Sequence, residues 1–171
     1  MVFLNDSLLM HTSIAAALVI GGVVVKNSGN KLGLKDHKVV KPLGMALFIG
    51  GWIYCAYALS MGRANKLLPI IASVAIMGSV MAMKMSMDKG ETPANIFPII
   101  FALAWVAIGL GVGDHLSGYS KYKGLIATAL VLGSMMVALP YERKQCLVDG
   151  PGMPMFVVAW AIIAYMNASR W

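Results

Sequence analysis

The sequence predicts an all-α chain: a polytopic transmembrane helical bundle of about six helices, with no soluble domain. Charge segregation is the first reason. All 14 Lys/Arg and all 7 Asp/Glu of the 171 residues fall outside six apolar stretches, Leu8–Val25, Leu43–Met61, Leu67–Met83, Ile96–Val112, Leu125–Leu139 and Met153–Met166. A soluble helix needs a charged face, and a charge at the bilayer centre costs about 3 kcal/mol even on the insertion scale. Composition is the second reason. Apolar residues make up 59% before the 18 Gly are counted, and the mean hydropathy is +0.76; soluble domains stay near about 45–50% with Gly included. Third, nothing is left over, because the longest connection, Lys26–Pro42, is too short for an independent domain. Residues 1–171 read as one integral-membrane domain.

The first span, at 8–25, opens after Asn5-Asp6-Ser7. A cleavable signal carries positive charge ahead of its apolar core; here the lysines follow Val25, so the span is expected to be retained. A polar stretch rich in turn formers comes next and reads as a loop. Pro42 stands just ahead of the second span, at 43–61, and Pro69 lies in the first turn of the third, at 67–87. Pro93 and Pro98 mark the start of the fourth, at 96–112; Pro140 ends the fifth, at 120–139; Pro151 and Pro154 open the sixth, at 153–166. A proline costs no hydrogen bond in a first turn, whereas broken-helix transporters place such interruptions near mid-membrane. The sixth span is the shortest against the about 20 residues a crossing needs. Without it five spans remain.

Lys and Arg set the orientation. None precedes the first span, and Lys26, Lys31, Lys35, Lys38 and Lys41 follow it. By the positive-inside rule the N-terminus is non-cytosolic and that loop cytosolic. The same five lysines are candidate contacts for anionic lipid headgroups or an acidic partner, since each basic side chain near an anionic leaflet adds attraction. The net charge of +7 thus reads as membrane electrostatics, not nucleic-acid binding.

Small residues recur four apart at Ala17/Gly21, Ala46/Gly50, Ala56/Ser60, Gly78/Ala82, Ala129/Gly133 and Ser134/Ala138. Such faces let helix backbones approach closely in lipid. Trp52, Trp105 and Trp160 fall inside spans, where aromatics either mark interfaces or fill bundle cores.

Gly109-Leu-Gly111-Val-Gly113-Asp114 resembles the potassium-channel selectivity filter in its last two glycines and its acid. The resemblance covers six residues and implies backbone carbonyls that replace an ion's hydration shell. The filter threonine and aromatic are replaced by Gly109 and Val112, and a glycine-rich helix end with Gly113 as C-cap explains the same string. Met77, Met81 and Met85 share one helix face and resemble the paired methionines of copper-transporter helices, although adaptable packing is the simpler account. Asp36-His37 and Asp114-His115 each precede a basic loop and a new span, a faint echo of an inverted three-plus-three repeat. The sequons at Asn5 and Asn167 hug the membrane and are expected to stay unmodified.

Cys55 sits mid-span and Cys146 in the last loop, so they are not expected to pair. No nucleophile–base pair, metal cluster or phosphate loop is present, so no enzyme activity, metal or cofactor is expected. The expected function is that of a structural or accessory multi-pass subunit, packed into a larger membrane assembly such as a virion inner membrane or an organelle complex. Its partners are the bilayer and other membrane or membrane-apposed proteins. The alternative is a small ion channel or small-solute transporter.

Overall fold

The computed structural model describes residues 3–31, 39–61, 65–90, 96–116, 118–143 and 150–170. Six α-helices carry the fold: α1 (Asp6–Lys31), α2 (Val40–Ser60), α3 (Leu67–Asp88), α4 (Ile96–Gly111), α5 (Lys123–Arg143) and α6 (Gly152–Ala168). A short 3₁₀ turn, Gly118–Tyr122, precedes α5. Among the described residues three helices are long and apolar enough to cross a membrane, over Asp6–Lys26, Pro42–Ser60 and Leu67–Ser86. At 16 and 17 residues, α4 and α6 are shorter apolar helices.

The helix starts follow local chemistry. Asn5 Oδ1 accepts the Leu8 N–H at 3.0 Å, and Asn65 Oδ1 accepts the N–H groups of Leu67 and Leu68, both at 3.2 Å. Each bond satisfies a donor that a helix start leaves open. Pro42, Pro69, Pro98 and Pro154 are each the third residue of their helix, in the first turn where no N–H is required. Two boundaries differ from the sequence reading. The first helix runs on to Lys31 through residues read as a loop, and the fifth continues past Pro140 to Arg143. Extending a formed helix adds one hydrogen bond per residue fixed, which outweighs weak turn propensity. Pro140 lies in the last turn, three residues before the end of α5.

Each helix packs on its neighbour in sequence, and α6 closes the ring against α1. The chain ends are stitched together at the closure. Strands β1 (Phe3–Leu4) and β2 (Ser169–Arg170) pair antiparallel, Phe3 opposite Arg170, and the Asn5 N–H donates to Ala168 O at 2.8 Å. Beneath them Asn167 Nδ2 donates to Thr12 Oγ1 at 2.9 Å and to Ala58 O at 3.3 Å, tying α6 to α1 and α2. Asn167 is buried. His115 Nε2 lies 2.7 Å from Ser169 O and brings the end of α4 to the same place. Both chain ends therefore sit at one end of the bundle, together with the α2–α3 and α4–α5 connections.

Of the four glycines the four-residue spacing picks out, Gly133 alone would meet a neighbour, its Cβ falling 3.1 Å from Met155 Cε. A Cβ on Gly21, Gly50 or Gly78 would meet nothing within 4 Å. A Cβ on Gly22 would come within 2.6 Å of Phe48 N, and one on Gly51 within 2.7 Å of Val19 N, so the α1–α2 contact runs one residue further along each helix. On α4 and α5, Gly109 and Gly124 face each other the same way, a Cβ on Gly109 falling 2.8 Å from Gly124 O.

Candidate functional site: an axial cavity above a tryptophan layer

The ring is built from three similar helix pairs. In α1, α3 and α5 the buried positions read Ala15-Ala16, Val19, Gly22; Ala72-Ser73, Ile76, Ser79; and Ala127-Thr128, Val131, Ser134. In α2, α4 and α6 the buried Trp52, Trp105 and Trp160 each follow by four a phenylalanine, Phe48, Phe101 and Phe156, of which Phe101 is buried and the other two are half-buried. The last pattern, Phe-x-x-x-Trp, recurs at a spacing of roughly 55 residues. Ser79 Oγ donates to Ile76 O at 2.9 Å and Ser134 Oγ to Val131 O at 2.7 Å, so equivalent hydroxyls turn back on equivalent carbonyls. A two-helix repeat keeps each unit in the same orientation. The internal relation is thus three pairs around one axis, in place of two inverted halves.

Trp52, Trp105 and Trp160 meet on that axis. Their ring centroids are 5.5, 5.7 and 5.8 Å apart, with interplanar angles of 77°, 53° and 79°. In the two edge-to-face pairs, both made by Trp105, the positive rim of one ring meets the negative face of the next, worth about 0.5–1.5 kcal/mol per pair beyond burial. Each indole also touches its own helix's phenylalanine, at 6.3, 6.3 and 6.4 Å. All three Trp are buried, and their indole N–H groups have no hydrogen-bond partner among the described residues. The layer divides the bundle. On the side of the chain ends the axis is filled by Leu8, Thr12, Ala58, Leu59, Ile163 and Asn167, all buried.

On the other side lies a cavity of about 620 Å³ lined by all six helices. Trp52 and Trp105 reach into it at the deep end; Met45, Met81, Met83, Met135 and Met153 form much of its wall, and Lys26 and Lys84 line it near the helix ends. The volume falls within the about 300–1,000 Å³ of ligand cavities.

The residues singled out by sequence distribute as follows. Gly109 and Gly111 are α-helical, and Gly109 packs on Gly124 and Thr128 at the α4–α5 contact. Beyond them the chain tapers in tight turns: the Val112, Gly113 and Asp114 N–H groups donate to Ile108, Leu110 and Gly111 carbonyls at 2.9, 3.2 and 3.3 Å. Gly113 O accepts from the Leu116 N–H at 3.0 Å, so these carbonyls serve the helix end. Gly113 does not adopt positive φ, as an αL C-cap would; among the described glycines Gly90 and Gly118 do. The Asp114 carboxylate lies 3.5 Å from His115 Nδ1. Lys26 belongs to the cavity and Lys31 ends α1, whereas the Lys41 side chain and all of Lys35 and Lys38 lie outside what the structure describes. His37 and Cys146 do so as well. Cys55 is buried in α2. His11 Nδ1 contacts Tyr54 Oη at 2.5 Å and stacks edge-on to Tyr57, inside the α1–α2 pair. Among the described residues no group of three His, Cys, Asp or Glu stands together.

Hydropathy alone reveals neither the tryptophan layer nor the cavity; the repeated Phe-x-x-x-Trp is the signal in the sequence that marks them. No family model matches this chain, and neither a curated protein nor a solved structure does.

Proposed function

We propose that the chain is a six-span structural or accessory subunit of a larger membrane assembly, with its N-terminus on the non-cytosolic side. The observation that carries this reading is an outer surface as apolar as the interior. Ile53, Ile71, Val74, Leu103 and Ile126 are all more than half exposed, on four different helices. Lipid tails or neighbouring helices must cover such a surface, since water cannot do so without cost. With α4 and α6 near 16 and 17 residues, the bilayer thins locally or the ends of those helices are covered by partner proteins. No charged residue falls inside the six apolar stretches, and intramembrane ionisable groups usually mark ion and solute paths.

A second reading is a small-solute pathway, favoured by one observation: the cavity lies on the axis of the three repeats, where a path would run. The tryptophan layer closes that axis. Purified protein in liposomes is therefore expected to leave potassium, proton and glycerol permeability at background. Saturable flux would establish the pathway instead.

A further inference from the structure

The deep end of the cavity is an aromatic box. Phe48, Phe101 and Phe156 stand one helical turn before Trp52, Trp105 and Trp160, about 6 Å further from the chain ends. All three phenylalanines line the cavity, one from each helix pair, above a floor made by Trp52 and Trp105. Beyond them the wall is thioether, from Met45, Met81, Met83, Met135 and Met153. Water has little hold here, since an internal water needs about two to four polar partners. The Ser134 hydroxyl already donates to Val131 O at 2.7 Å, and Lys26 and Lys84 lie near the helix ends, away from the box. An apolar cavity of about 150 Å³ stays dry and takes up benzene; at about 620 Å³ this one has room for several fused rings. Size alone would admit any hydrophobe of that bulk, and the lining selects among them. Phenyl and indole rings gain from edge-to-face or offset contact with an arene, and thioethers gain from sulfur–aromatic contact. A saturated ligand of the same volume supplies neither.

We propose that this cavity binds a neutral, flat aromatic molecule of up to about four fused rings, taken up from the bilayer and held among Phe48, Phe101 and Phe156 against Trp52 and Trp105. The inference rests on the membrane reading above for the source of the ligand and goes beyond a packing role, because it gives the chain a ligand of stated chemistry.

Anthracene is a direct probe, because its ring current shifts the NMR signals of methyl groups beside it. In protein carrying carbon-13 at its methionine methyls, in zwitterionic nanodiscs, titrated anthracene should move the Met45, Met81, Met83, Met135 and Met153 signals saturably. Met166, buried on the far side of the tryptophan layer, should hardly move, and Met10, exposed on the outer face, should follow the lipid content of anthracene without saturating. Perhydroanthracene has nearly the same bulk and no π electrons. It should displace anthracene only at about tenfold higher mole fraction in the lipid. Phe48→Leu with Phe156→Leu should raise the half-saturation mole fraction about tenfold, since leucine keeps the box apolar and removes two aromatic faces. Cavity signals that never saturate, or perhydroanthracene competing as well as anthracene, would overturn the proposal. So would an unchanged midpoint in the Leu pair at an unchanged melting temperature. Displacement by tetrapropylammonium at lower concentration than by perhydroanthracene would reassign the box to a cation and overturn it too. A chain that failed to enter nanodiscs would instead refute the membrane reading itself.

Discussion

Trp105→Ala is expected to destabilise the protein by about 3–5 kcal/mol, the loss typical of a buried aromatic truncated to a methyl group. Trp105 is 1% exposed and contacts Trp52, Trp160 and Phe101. Its carbonyl also accepts the Thr128 Oγ1 hydrogen bond at 2.9 Å, which the substitution leaves in place. The loss therefore isolates the ring. Removing it also joins the cavity to the packed half of the axis, so collapse cannot recover the lost contacts. Trp105→Phe retains part of the layer and should cost less than half as much. Leu103→Ala, on the outer face at 63% exposure, should change stability by under about 1 kcal/mol because lipid replaces the lost contacts. Reversible unfolding in bicelles, followed by steric trapping, measures all three. Equal losses at Trp105 and Leu103 would mean the aromatic layer is not the core.

Gly124→Val is the second large effect. A Cβ at Gly124 would overlap the Gly109 backbone and stand 2.8 Å from Val112 Cγ2. Relief requires separating α4 from α5, since the clash is with backbone and not with the end of a flexible side chain. Overpacking in a filled core costs about 1–3 kcal/mol, and here the backbone must move, so the upper end of that range or more is expected. Gly50→Val and Gly78→Val serve as controls, because a Cβ at either meets nothing within 4 Å. The same unfolding measurement should find both near wild type. A Gly50 variant as damaged as the Gly124 variant would place the helix contacts on the wrong faces.

That contrast shows what the sequence makes legible. Helix positions follow from charge, because an ionised group is excluded from an apolar stretch whatever the packing; the spans at 43–61 and 67–87 agree with α2 and α3 to within a few residues. Prolines in first turns mark four starts for an equally local reason. Helix faces are another matter. In a water-soluble bundle the polar side of each helix reveals its buried side, but here Ile53 faces outward and Trp52 inward within one uniformly apolar run. A spacing rule then cannot tell Gly21 from Gly22, and only the second meets its neighbour's backbone.

The cavity was hidden for a related reason. It is a property of three helix pairs together, and Lys26 and Lys84 come from different pairs. The ring that encloses it is closed where α6 meets α1, at Asn167 and the paired chain ends. The repeat was readable in Phe48/Trp52, Phe101/Trp105 and Phe156/Trp160, since aromatic pairs four apart share a helix face wherever they occur. Repetition, more than hydropathy, points to the axis.

Two-sided thiol labelling in sealed vesicles tests the central claim, six crossings with both chain ends on one face. With single cysteines at Val2→Cys, at Trp171→Cys and at the native Cys146, an impermeant maleimide should reach the first two from the same side and Cys146 from the other. Labelling of Val2→Cys and Trp171→Cys from opposite sides would contradict it, as would a Cys146 that reacts on the same side as both.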